Sequence, residues 1–173
     1  MEYYCMMVLT GEEKKVRDRA RQIFKDTYPT AQFYFFERDL YTKRRGWFRG
    51  ALFTGYLFFC VEELTADFFC TLRSIKGFCR ILRENQNPTE LKGPALEELQ
   101  FLISHGEVLG VSKVVFLPGQ KVKAISGPLV GYEGQIVQVN KKNKQITVRS
   151  FLTEDCKKFD LKFEQVELLS DVH

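Results

Sequence analysis

The apolar residues of this 173-residue chain change their spacing once, near residue 107, and so divide it into two units that cannot share one architecture. Upstream, helical and strand periods alternate. Residues 3–9, Tyr3-Tyr4-Cys5-Met6-Met7-Val8-Leu9, read as a buried strand, and Thr10 with Glu13 three positions on makes a capping-box pattern that starts a helix. Val16, Ala20, Ile23, Phe24 and Thr27 fall on one face of that helix, which Pro29 ends. Residues 31–41 are aromatic-rich and read as a strand. After the basic loop 42–46, residues 48–61 read as a second strand that pairs with it as a hairpin. Leu64, Phe68, Leu72 and Ile75 predict a helix over 64–74, and a short strand follows at 77–82.

This β-α-β-β-α-β order is the split βαβ of a ferredoxin-like sandwich, an α+β fold with two helices on one face of an antiparallel sheet. Pro94 suits the first turn of a further helix over 95–104, with Leu96, Leu99 and Ile103 on one face and Gly106 as its stop. The first domain therefore spans 1–106. Residues 107–117 sustain no period and read as a linker. From 118 to 173 the pattern is that of a small β-barrel, with alternation at 120–126 (Val122, Ala124), 135–139 (Ile136, Val137, Val139) and 145–150 (Ile146, Val148). A further strand pair fits 158–163 and 165–169. Gly127-Pro128, Gly131, Gly134 and residues 140–143 supply the turns. The three glycines read as positions of positive φ, and Tyr132, held between two of them, is predicted to point outward.

The chemistry available is restricted. With two histidines, His105 and His173, the chain lacks the parts for most zinc sites and histidine-based catalytic centres. His105, at a helix end, reads as a partner of the helix dipole. Cys5, Cys60, Cys70, Cys79 and Cys156 form no CxxC pair, and their odd number fits reduced, mostly buried thiols. No phosphate-cradling glycine loop, HExxH or nucleophile with its base is found. We therefore expect no enzyme, cofactor or metal. The N-terminal stretch has no signal-peptide pattern, and the longest apolar run, 51–61, is far below the ~20 residues of a membrane span. A soluble, cytoplasmic monomer is the expectation.

Net charge is only +4, but its distribution is uneven. Between Lys113 and Arg149, the cations Lys113, Lys121, Lys123, Lys141, Lys142, Lys144 and Arg149 face Glu133 alone. This is the footprint expected of a surface for a phosphate backbone, and equally of a solvated lysine-rich hairpin that blunts a sheet edge. A second cluster, Lys43, Arg44, Arg45 and Arg49, surrounds Trp47 and Phe48 at a hairpin tip. Basic residues beside exposed aromatics can track a nucleic-acid strand; the same tip could contact protein.

Residues 119–137, GQKVKAISGPLVGYEGQIV, resemble the KOW motif of ribosomal and transcription proteins, which implies an SH3-like barrel. Tyr3-Tyr4 before a short apolar strand, and Leu52-Phe53-Thr54-Gly55-Tyr56-Leu57-Phe58, resemble the two signature strands of the NusG N-terminal domain. In this order they resemble a NusG-family transcription elongation factor. Thr54 stands where the family usually has Pro, and Tyr3-Tyr4 where housekeeping members usually have Trp-Tyr. With the Gly-Pro-Leu-Val-Gly-Tyr-Glu-Gly run, these departures resemble the specialised RfaH and LoaP antiterminators.

The resemblance implies a non-enzymatic regulator whose N-terminal domain binds the clamp helices of the RNA polymerase largest subunit and favours processive elongation or antitermination. Carried onto this sequence, that surface comprises Tyr3, Phe53 and Tyr56. Lys43, Arg44, Arg45, Trp47 and Arg49 would face upstream DNA or polymerase. Tyr132 would meet a ribosomal protein or the termination factor Rho. Lys121, Lys123, Lys141, Lys142, Lys144 and Arg149 would bind RNA, an RNA hairpin in LoaP-like members. On the residues alone, Tyr3, Phe53 and Tyr56 are also compatible with an ordinary core. The competing function is a KOW-type RNA-binding or ribosome-associated protein that does not bind polymerase. The alternation over 119–150 favours strands over the helical hairpin that an RfaH-like tail can adopt.

Overall fold

The strands of the first domain are set by which of their residues avoid water on both sides. The computed structural model describes residues 1–84, 87–153 and 157–167. In chain order these form β1 (Glu2–Val8), α1 (Glu13–Phe24), β2 (Gln32–Tyr34), β3 (Glu37–Thr42), β4 (Gly46–Ala51), β5 (Tyr56–Val61), α2 (Ala66–Arg73), β6 (Phe78–Ile81), β7 (Arg83–Glu84), β8 (Asn87–Pro88) and α3 (Pro94–His105). The strand order β2-β5-β1-β6 makes a four-stranded antiparallel sheet, as expected of the βαββαβ sandwich. On one face Tyr4, Met6 and Val8 of β1 and Leu57, Phe59 and Val61 of β5 pack with Val16, Ala20 and Phe24 of α1 and Phe68 and Leu72 of α2. Phe24 stacks on Phe68 at 4.3 Å between centroids and on Phe33 at 5.4 Å, so an aromatic layer joins both helices to the sheet.

Local expectations are corrected at several points. The helix begins later than the capping-box pattern implied: Glu12 is the N-cap and makes no side-chain cap, and Glu13 is buried. Its carboxylate instead accepts from the Gly11 N–H and the Gly55 N–H, both at 2.8 Å, tying the helix start to the turn before β5. Ile23, expected on the buried face, is exposed. The long hairpin of 31–61 is broken into β2–β5 and β3–β4, because Phe35 and Phe36 turn into separate cores and the Leu52–Gly55 stretch bulges out between them. Cys70 and Cys79 are exposed while Cys5 and Cys60 are buried; Cys156 lies outside the described residues. The His105 Nδ1 contacts the Phe101 carbonyl at 2.9 Å, a side-chain partner for the helix end.

Residues 107–117 are not the structureless linker that their lack of period suggested. The Glu107 carboxylate accepts from Arg17, Arg21 and the Phe35 N–H at 2.9–3.1 Å, β9 (Val108–Leu109) adds in parallel to β3, and β10 (Ser112–Leu117) opens the barrel. The barrel continues through β11 (Lys121–Ser126), a 3₁₀ turn at Glu133–Gln135, β12 (Ile136–Asn140), β13 (Gln145–Arg149) and β14 (Lys158–Gln165), in the order β11-β10-β14-β13-β12. The proposed final pair is one strand, β14, and residues 168 and 169 lie outside the described residues.

Of the turn glycines, Gly127 and Gly131 have φ of +89° and +81°, whereas Gly134 is not in the left-handed region and has open space about it. A Cβ on Gly127 would also lie 2.7 Å from the Ser112 Cα, so the turn presses directly on β10. Gly127→Ala is expected to destabilise the chain by about 2 kcal/mol, read as a lower urea midpoint, while Gly134→Ala should change it by less than about 0.5 kcal/mol.

Candidate functional site

The second face of the four-stranded sheet has no helix from the βαββαβ unit over it, and its apolar side chains must be covered by something else. Cys5 of β1, Tyr56 and Phe58 of β5, and Phe53 from the turn before β5 join one continuous core with Leu99 and Leu102 of α3 and with Ile146, Val148, Phe159, Leu161 and Phe163 of the barrel. Phe53 is 1% exposed and Tyr56 6%, with Tyr3 half-buried at the margin. The Phe53 ring meets Phe58 edge-on at 5.5 Å and Phe159 of β14 at 5.6 Å. Its position follows from the turn: Gly55 has φ of +82°, and the Tyr56 N–H donates to the Phe53 carbonyl at 3.2 Å. The residues proposed as a polymerase-binding surface are thus grouped on one face, and the barrel covers that face.

Tyr132 is not directed outward. It is 7% exposed, stacked on Phe101 of α3 at 4.8 Å and near Phe159 at 6.3 Å. Flanking turn residues failed as a guide because α3 supplies an aromatic platform beside the loop. Its hydroxyl bonds to Glu98, the group through which α3 holds the barrel. The Glu98 carboxylate, 5% exposed, accepts from the Ser150 hydroxyl and the Phe151 N–H, each at 2.7 Å. Burial holds this carboxyl above the usual carboxylate range, only partly offset by the bonds from Phe151, Ser150 and Tyr132. Burial, then the Glu98 charge, pushes the Tyr132 phenol up in turn. Sequence reasoning missed Glu98, Phe101 and Phe159. Nothing in the helical pattern marks Glu98, since it sits beside the apolar stripe of α3 and its partners Tyr132, Ser150 and Phe151 lie more than 30 positions away.

The two basic clusters are both exposed, and part of each shares one cleft. At the β3–β4 tip Trp47 is 60% exposed, with its ring 5.4 Å from Tyr41. Arg45 lies over Phe48 at 4.2 Å, and Arg49 approaches Asp39 at 3.6 Å. Lys43 and Arg44 are exposed beside them. On the barrel, Lys142 and Lys144 at the β12–β13 turn line a cleft of about 850 Å³ together with Tyr41, Lys43 and Trp47. Lys141 points away onto Phe116, 4.2 Å from its ring centre, and Lys121, Lys123 and Arg149 are exposed outside the cleft. Among the described residues no group of metal-ligating side chains is found and no helix is long and apolar enough to cross a membrane.

Comparison with known proteins agrees with this architecture. The KOW motif matches residues 118–149, and the family described as NusG, transcription termination factor nusG, matches residues 1–100. No curated protein matches the chain. Among solved structures, that of Thermotoga maritima NusG, which concerns the domain interaction in that protein, aligns with a TM-score of 0.57 and 19% identity over 92% of this chain and 91% of that one. A chain of the MjSpt4:Spt5 complex, conformation B, aligns with a TM-score of 0.38 and 12% identity over the same shares, 92% and 91%. An N-terminal match over more than half the chain, followed by a KOW barrel in the expected order, makes this protein a member of the NusG family of transcription factors.

Proposed function

We propose that this protein is a transcription elongation regulator of the specialised, antiterminating kind, and that it binds RNA polymerase through the face bearing Tyr3, Phe53 and Tyr56. The observation that carries the reading is the second face of the sheet: an aromatic surface that no helix of the βαββαβ unit covers and that packs instead in one core with α3 and the barrel. Such a surface suits an apolar helix pair like the polymerase clamp helices. Covered, it cannot bind, so the chain as folded here is the resting form, and engagement requires the barrel to swing away. Opening frees Tyr132 as well, for a ribosomal protein or Rho, while the barrel lysines, already exposed, are open to RNA in either form. A domain interaction is also the subject of the Thermotoga maritima NusG structure, which supports reading the contact here as one between domains. Thr54, exposed in the turn next to Phe53, and the Tyr3-Tyr4 start support the specialised over the housekeeping role.

The test is recovery of RNA polymerase with the tagged protein from cell extract. Tyr3→Ala should reduce capture severalfold while moving the unfolding midpoint little, because this ring is only half-buried. Capture of RNA or ribosomal proteins without polymerase would instead favour the ribosome-associated reading.

A further inference from the structure

The cleft between the β3–β4 tip and the β12–β13 turn has walls from both domains. Tyr41 and Trp47 stand on the first wall, directly paired across β3 and β4, with Lys43 beside them. Lys142 and Lys144 stand on the second. That second wall is held in place: the Phe163 N–H donates to the Lys144 carbonyl at 3.0 Å, and the Lys162 ammonium donates to the Asn143 carbonyl at 2.8 Å. Lys144 takes a φ of +52°, uncommon for a residue with a side chain, and so completes a tight turn that faces the first wall. Four lysines line the cleft against one carboxylate, Glu164, and none of Lys43, Lys142 and Lys144 forms an ion pair among the described residues. At about 850 Å³ the volume is that of a ligand site, not of a groove for a duplex.

From these walls we infer that the closed protein binds single-stranded nucleic acid across its two domains, with a base stacked on Trp47 and the adjoining phosphates on Lys43, Lys142 and Lys144. An exposed aromatic beside fixed cations is the arrangement that takes a single strand, since every base has a face to stack and every phosphate a charge to pair. The cleft exists only while the barrel rests on the first domain. Strand binding and domain closure therefore favour each other by the same factor. This rests on the closed contact and on the reading of the lysines as nucleic-acid ligands, but not on polymerase binding, so either proposal can fail while the other stands.

Trp47 is the sole tryptophan of the chain, which makes its fluorescence a direct report on the proposed stack. The probe is a fluorescein-labelled strand of about eight nucleotides, offered to the intact protein as RNA, as DNA and as the DNA duplex. The expected result is quenching of Trp47 by a single strand, with the tighter of RNA and DNA identifying its source, and weaker binding of the duplex. Lys142→Ala with Lys144→Ala should lower the slope of log K against log salt by about 1.4, and Trp47→Ala, followed by anisotropy, should weaken binding about tenfold. Lys43→Ala should weaken it as well, and Glu98→Ala, which touches no part of the cleft, should do so by opening the domains. Binding that leaves Trp47 fluorescence unchanged overturns the proposal, as does binding that needs the barrel lysines but neither Lys43 nor Trp47. Lys43, Trp47, Lys142 and Lys144 are exposed, so loss of fold does not confuse the outcome at these four.

Discussion

Phe53→Ala is expected to lower the unfolding free energy by about 3–5 kcal/mol and to abolish polymerase capture, although the same change weakens the contact that hides the surface. The stability loss follows from the position: the ring is 1% exposed and touches Phe58 within its own domain and Phe159 across the domain contact. Alanine leaves a cavity lined by aromatic rings, which cannot collapse without moving strands on both sides. A urea titration reads this as a lower midpoint. Capture falls for a separate reason. A buried aromatic at the centre of a binding face carries a large share of the affinity, and opening a surface that has lost its anchor does not restore it. Undiminished capture by a folded Phe53→Ala protein would remove this residue from the polymerase surface.

The converse effect is expected at Glu98, which anchors the barrel yet lies off the polymerase-binding face. Glu98→Ala leaves the Ser150 hydroxyl and the Phe151 N–H without their acceptor. With the Tyr132 hydroxyl, three donors then lack their acceptor in the closed form, so the open form should gain about 2 kcal/mol, roughly thirtyfold in population. A larger radius of gyration in solution scattering measures the opening. Polymerase capture should then rise, in contrast to the loss at Phe53.

The same carboxylate gives a pH dependence of definite sign. Because burial raises its pKa in the closed form above the value it has in water, closing takes up a proton. Acidification through the raised pKa therefore strengthens closure, and rising pH, which ionises Glu98, weakens it. The protection of the Phe151 amide, its exchange divided into the intrinsic base-catalysed rate at each pH, should fall as pH rises through the raised pKa, and Glu98→Gln, which cannot titrate, should flatten that trend. A closed form that becomes more stable as pH rises would exclude Glu98 as the group responsible.

Much of the fold was legible because its signals are local. The period of Val16, Ala20 and Phe24 against the alternation of Tyr4, Met6 and Val8 is enough to lay a helix on a sheet, and Pro94 at the start of α3 marks a helix boundary from one residue. The strand β5 carries a signal of its environment in its composition. Residues 56–61 are apolar without alternation, and every residue of β5 is buried; a sheet with one wet face would alternate. The apolar run 51–61, too short to cross a membrane, contains this strand and marks a sheet covered on both faces. The segment 107–117 is the opposite case. Its order comes from pairing β9 with β3 and from three donors to Glu107, none of which leaves a period in the sequence.

What the sequence determined by itself is the pair of units, their order, and the residue types available to each: aromatic faces upstream, a lysine-bearing barrel downstream. Those follow from spacing within a few residues. Only the tertiary structure decided that Phe53, Tyr56 and Tyr132 share one buried contact, that Glu98 holds it, and that Lys43 and Trp47 look across a cleft at Lys142 and Lys144. The physical reason is separation along the chain. Partners such as Phe53 and Phe159, or Lys43 and Lys144, lie about a hundred residues apart, and their meeting depends on how the barrel docks. Local spacing carries no record of that docking.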